Sequence, residues 1–71
     1  MPVEVEAQIA GNVWKIETRV GAQVQEEEVL LILESMKMEI PVEAPCAGRV
    51  AEIRVREGDS IEEGAVLAVI E

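Results

Sequence analysis

The sequence predicts an all-β fold: a flattened antiparallel β-barrel or sandwich made of two quasi-symmetric halves. Three observations point there. Val, Ile and Leu number 11, 7 and 4, and a surplus of β-branched residues suits pleated structure better than helix. Apolar residues alternate with polar ones: Ala51, Ile53 and Val55 interleave with Glu52, Arg54 and Arg56, a period of two. The chain is also written twice. Residues 5–34 lie on residues 42–71 without a gap, at an offset of 37, with 13 identities in 30 positions. Val5-Glu6-Ala7 matches Val42-Glu43-Ala44, Ala10-Gly11 matches Ala47-Gly48, and Val29-Leu30 matches Val66-Leu67. Two copies are too few for a solenoid, and 71 residues fit one domain. Residues 1–71 are therefore expected to form a single domain whose halves cover each other's apolar faces.

Each element follows from its residues. Val3, Val5, Ala7 and Ile9 alternate with Glu4, Glu6 and Gln8 and read as a first strand. Trp14, Ile16 and Thr18 hold the phase that Ala51, Ile53 and Val55 hold in the second copy. Val29 to Leu33 and Ala65 to Ile70 are continuous apolar runs, suited to strands covered on both sides or placed at a barrel corner. Gly11, Gly21, Gly48, Gly58 and Gly64 punctuate the strands where positive φ or tight turns are needed. Glu26-Glu27-Glu28 reads as a solvated turn. No window offers three helical turns with a clean apolar stripe, and sheets closing on one another limit exposed edges in so small a body.

Composition removes whole classes of function. There is no His and one Cys, so an intramolecular disulfide, a thiolate–imidazole zinc site and an imidazole-based triad are excluded. A net charge of −9 repels phosphate backbones and anionic membranes. Trp14 is the only aromatic residue, so stacking platforms for single-stranded nucleic acid are missing. Neither nucleic acid nor membrane is expected as a partner. The longest apolar run is far too short to span a bilayer. The acidic, alternating start of the chain is unlike a signal peptide, and a cytoplasmic location is expected.

The repeat leaves Ser35-Met36-Lys37-Met38-Glu39-Ile40-Pro41 as the join between copies. It must turn between two strands, yet it lacks the Asn-Gly, Asp-Gly or Gly-X of a tight hairpin. A local break in turn chemistry marks a place where function is expected to intrude. The turn puts Lys37 at the outermost point of the chain.

Glu34-Ser35-Met36-Lys37-Met38 resembles the attachment motif of biotin carboxyl carrier domains, in the biotin/lipoyl attachment family, where a Lys between two Met takes biotin through an amide bond. The likeness covers nearly the whole chain. Gly21 to Met38 resembles the family's Gly-x-x-Val leading through an apolar strand to the Met-Lys-Met tip. Ala44-Pro45-Cys46-Ala47-Gly48-Arg49-Val50 resembles its Ala-Pro-x-x-Gly-x-Val segment, and Gly58-Asp59-Ser60-Ile61-Glu62-Glu63-Gly64 its closing turn. Two positions depart: Ala22 stands where Asp is common, and Glu27 where Gly is common. Both lie in turns well separated along the chain from Lys37. No insertion corresponds to the protruding thumb of some bacterial carriers, so the chain resembles the thumbless, stand-alone type. An excised terminal domain of a larger carboxylase would read the same.

The resemblance implies a carrier, not an enzyme. Lys37 is the expected site of covalent biotin, and Glu34, Ser35, Met36 and Met38 the residues a biotin protein ligase would recognise. A lysine amine in water is protonated near neutral pH and a poor nucleophile, so a separate ligase must supply an activated acyl group; the resemblance implies that it does so through a biotinyl-adenylate. A biotin carboxylase would load carbon dioxide on the ring with ATP and bicarbonate, and a carboxyltransferase would pass it to an acceptor, most often an acyl-CoA. Tethering makes the second encounter local. On its own the chain is expected to be a monomer.

Other readings stand beside these. Lys37 could be one more solvated lysine, and Met36 and Met38 gap-filling core residues, although a turn argues against burial. Glu34 and Glu39 could form an acid–base pair, but no imidazole or aromatic wall accompanies them, and Glu39 reads as solvated. Cys46 reads as a small semi-buried residue at a strand end, and Trp14 as a core or rim filler. Two functional alternatives remain: a lipoyl carrier, which usually has Asp-Lys-Ala at the tip where this chain has Met36 before Lys37, and an unmodified β-module used for assembly.

Overall fold

The computed structural model describes all 71 residues, Met1–Glu71. It contains eight strands and no helix: β1 (Val3–Glu6), β2 (Gly11–Ile16), β3 (Gln23–Val24), β4 (Val29–Ser35), β5 (Met38–Glu43), β6 (Gly48–Ile53), β7 (Ser60–Ile61) and β8 (Val66–Ile70). They form two four-stranded antiparallel sheets, ordered β1-β8-β6-β3 and β5-β4-β2-β7. The offset of 37 carries β1, β2, β3 and β4 onto β5, β6, β7 and β8, so one sheet is the image of the other. Each sheet takes strands from both halves of the chain.

Of the two all-β architectures expected, the sandwich is the one formed; the sheets do not close into a barrel. The edge strands β1 and β5 face each other across an open seam. A groove of about 420 Å³ runs along it, lined by Val5, Ile9, Leu33, Ile40 and Val42 among others.

The core is written twice as well. One cluster holds Val5, Val24, Leu30, Ala44, Val50, Ala68 and Ile70. The other holds Ala7, Val13, Leu31, Leu33, Ile61 and Leu67, with Val42 packed against it. Six of the seven members of the first map onto the six of the second at the 37-residue offset, and Val5 maps onto Val42, which packs against the second. Both clusters draw side chains from both halves, so neither half can bury its apolar residues alone. The turns interlock in the same way. Gly21 N–H donates to the Val50 carbonyl and Gly58 N–H to the Val13 carbonyl, both at 2.7 Å; Glu27 N–H donates to the Ala44 carbonyl and Gly64 N–H to the Ala7 carbonyl, both at 2.8 Å.

The continuous apolar runs are explained by β4 and β8, which lie inside their sheets. Leu30 and Leu31 are both buried but belong to different clusters. A register shift between Val29 and Leu31 permits this, because a bulge lets neighbouring residues escape strict alternation.

Trp14 departs from the core or rim position expected of it. The pairing of β2 with β4 shifts between Val13 and Lys15, so Trp14 is the extra residue of a bulge. It belongs to neither cluster and is 47% exposed. Cys46, by contrast, is half-buried against the first cluster, in the bend between β5 and β6.

Candidate functional site

The join between the copies is the hairpin of β4 and β5. Leu33 pairs with Ile40, Glu34 with Glu39 and Ser35 with Met38, so only Met36 and Lys37 remain as the loop. Both have positive φ, 54° and 62°. A two-residue hairpin with positive φ at both central positions is the backbone that Asn-Gly normally adopts, because its twist matches that of the flanking strands. Here a Met and a Lys occupy it. A left-handed conformation costs an L-residue with a Cβ roughly 1–2 kcal/mol, so the tip stores strain where the sequence lacks turn residues.

The hairpin presents Lys37 to water. Lys37 is exposed and takes part in no ion pair. Met36 is 88% and Met38 60% exposed, so neither fills the core. Directly opposed residues of an antiparallel pair share a face. Ser35 and Met38 therefore stand on the side of buried Leu33, and Glu34 and Glu39 stand together on the outer face. Asn12 pairs with Glu34 from the other side, across β2. The structure thus places Glu34, Ser35, Met36, Lys37 and Met38 on one hairpin end, with Glu39 beside them.

Gly11 is a supporting residue whose role the sequence does not distinguish from that of a turn glycine. It opens β2 and lies against the last residues of β4: a Cβ there would stand 2.5 Å from the Glu34 carbonyl oxygen and 3.3 Å from the Ser35 Cβ. Its role is close approach. The repeat carried the signal, since a Cβ on Gly48 would stand at the same 2.5 Å from the Glu71 carbonyl oxygen.

The tip and the chain ends occupy opposite poles of a body 32 × 17 × 17 Å in extent. Leu33, near the tip, shares a cluster with Leu67 at the start of β8. Ile70, at the end of β8, shares the other with Leu30 at the start of β4. Val3 pairs with Ile70, which puts both ends of the chain at the pole away from Lys37. No helix of the structure is long and apolar enough to cross a membrane.

Comparison with known proteins agrees with this geometry. Residues 1–70 match the biotin/lipoyl family described as "Biotin-requiring enzyme". The chain is 51% identical over 37 residues to a biotin/lipoyl attachment protein of Bacillus subtilis, a match covering 52% of this chain and 51% of that protein. It is 44% identical over 36 residues to a putative urea carboxylase of Emericella nidulans, covering 51% of this chain and 3% of that one. Among solved structures, the urea carboxylase of Kluyveromyces lactis superposes over 100% of this chain and 6% of its own, with a TM-score of 0.95 and 32% identity. A single-chain, multi-domain long-chain acyl-CoA carboxylase does so over 96% of this chain and 7% of its own, with a TM-score of 0.90 and 32% identity. The chain spans about half the length of the Bacillus relative and a small part of the carboxylases. A two-sheet sandwich matching these carboxylases over 96–100% of its length, together with the family match over residues 1–70, makes this chain a member of the biotin/lipoyl attachment family and a biotin carrier domain.

Proposed function

We propose that Lys37 is the residue that carries biotin, and that residues 1–71 act as one biotinyl domain moving carboxyl groups between a biotin carboxylase and a carboxyltransferase. The single observation supporting this is the strained Met36-Lys37 turn, which holds one amine in water at the pole farthest from the chain ends. Met36 and Met38 offer exposed, flexible thioethers on either side, and Glu34 and Ser35 complete the surface for a biotin protein ligase.

The domain supplies a positioned amine and no catalysis of its own. The ligase must remove the amine's proton and present an activated biotin carboxyl group. The amide bond forms as the bond to the activating group breaks, and the domain loses one positive charge. When bound, biotin supplies a ring nitrogen that accepts and gives up carbon dioxide. What the chain contributes is constancy: a stiff sandwich shows the same tip to each enzyme in turn. The acceptor is of the urea or acyl-CoA class named for the solved relatives. We place the domain in the cytoplasm, as a monomer when free of those enzymes.

Intact mass tests this directly. Co-expression with a biotin ligase should add one biotinyl increment, which Lys37→Ala abolishes. Addition by a lipoyl ligase instead, or by neither, would overturn the reading in favour of a lipoyl carrier or an unmodified module.

A further inference from the structure

The two sheets have equivalent outer faces that carry different chemistry. On the sheet without the tip, Val69 pairs with Glu4 on one side and Glu52 on the other. Arg54 reaches both carboxylates, Glu52 at 2.9 Å and Glu4 at 3.8 Å. This clasp covers Val69, which is 5% exposed. On the sheet that carries the tip, the 37-residue offset puts Ile32, Pro41 and Lys15 in those places, with Glu17 where Arg54 stands. Ile32 pairs with Pro41 and Lys15 in the same register. No clasp forms, because Pro41 has no carboxylate to offer and Lys15 turns to Glu17 at 3.9 Å. Ile32 is left only half-buried. At the bulge, where the other sheet has Ala51, this one displays Trp14 at 47% exposure.

Trp14, Ile32 and Pro41 therefore make an apolar patch on one of two faces that the fold treats as equals. Its position is not neutral. Glu34 and Glu39 lie on the same face, between the patch and Lys37. From the level of Trp14 to the tip is four to five residues of strand, roughly 15 Å at about 3.3 Å per residue. An enzyme that acylates Lys37 must cover the tip, and a footprint of about 800 Å², roughly 16 Å in radius, reaches that distance. Trp is among the residue types most enriched at interface anchors.

We propose that this face is the docking surface for the ligase that acylates Lys37. Trp14 is its anchor, entering an apolar pocket rimmed by Lys or Arg side chains that meet Glu34 and Glu39. Charge complementarity selects that rim: two carboxylates stand on this face of a chain of net charge −9. The proposal rests on Lys37 being the attachment site.

Two measurements test it, both on the whole chain. In the first, biotin incorporation by a purified biotin protein ligase is followed against acceptor concentration. Trp14→Ala should raise KM about ten-fold with kcat unchanged, the loss of one aromatic anchor. Trp14→Phe should restore most of it, and Glu52→Ala on the opposite face should leave KM within about two-fold. Rising salt should raise the wild-type KM. In the second, which needs no substitution, the chain is labelled with 5-fluorotryptophan. Trp14 is the only Trp, so one fluorine resonance reports on it and should shift when unlabelled ligase is added. A KM unmoved by Trp14→Ala, or a resonance unmoved at ligase concentrations that modify Lys37, overturns the docking face alone. Failure of the ligase to modify the wild-type chain overturns the attachment reading and the docking face with it.

Discussion

Gly11 and Glu34, 23 residues apart in sequence, are in backbone contact: a Cβ on Gly11 would sit 2.5 Å from the Glu34 carbonyl oxygen. The start of β2 is thereby pressed against the strand that carries the Met36-Lys37 hairpin. Gly11→Ala must push that strand away, because the obstacle is backbone and cannot rotate aside. The expected loss is roughly 1–3 kcal/mol, the usual range for overpacking. Urea unfolding of the variant against wild type measures it.

The hairpin tip should be improvable at the expense of its chemistry. Met36 and Lys37 both hold positive φ, which Asn and Gly adopt at less cost. Replacing the pair by Asn-Gly should raise stability by about 1–2 kcal/mol and, with the amine proposed as acceptor gone, abolish labelling. Thermal melting and a labelling assay on the same variant read the two effects together. A less stable variant would contradict the strain assigned to the turn.

Glu27 makes the same point away from the site. It has φ 72° and stands where the second copy has Gly64 at φ 88°. Both residues donate their N–H groups to the opposite half, so the turn geometry is fixed by pairing and not by residue type. Glu27→Gly should stabilise the chain by about 1 kcal/mol, raising Tm by roughly 4–8 °C in a domain of this size, and leave labelling of Lys37 unchanged.

Neither half should fold alone. Val5, Val24 and Leu30 need Ala44, Val50, Ala68 and Ile70 to complete their cluster. A peptide of residues 1–37 should show a disordered circular dichroism spectrum, and mixing it with residues 38–71 should restore strand signal. Strand signal in the first peptide by itself would contradict the interlocked core.

Much of this is legible in the residues, and the parts that are not share a cause. The alternation at Ala51, Ile53 and Val55 and the repeated core positions specify sheets and faces directly, since the side-chain period of a strand is two. The turn between Leu33 and Ile40 is legible from the strand-forming residues on either side of it. Trp14 misleads because a bulge inserts one residue without altering the local pattern; only the pairing of Val13 with Leu33 and Lys15 with Ile32 reveals it. Sandwich against barrel turns on whether the edges β1 and β5 pair, and both alternate alike. Gly11 is legible as a glycine but not as a contact, because its partner is distant in sequence. The departures at Ala22 and Glu27 are visible, and their consequences are not. Asp59 Oδ2 accepts a hydrogen bond from Arg56 N–H at 2.9 Å, which Ala22 cannot reproduce at Arg19, while the turn around Ala22 keeps its backbone bond to Arg19 at 3.1 Å.

The most direct measurement is the site of modification. The chain has two lysines, Lys15 and Lys37, so tryptic digestion after incubation with a biotin ligase, biotin and ATP separates them. Acylation of Lys37 blocks cleavage there, and one uncut peptide covering residues 20–49 should carry the biotinyl mass while Lys15 remains cleavable. Biotin on Lys15 or on the amino terminus, or complete cleavage after Lys37 in a fully labelled sample, would contradict the assignment of the hairpin amine.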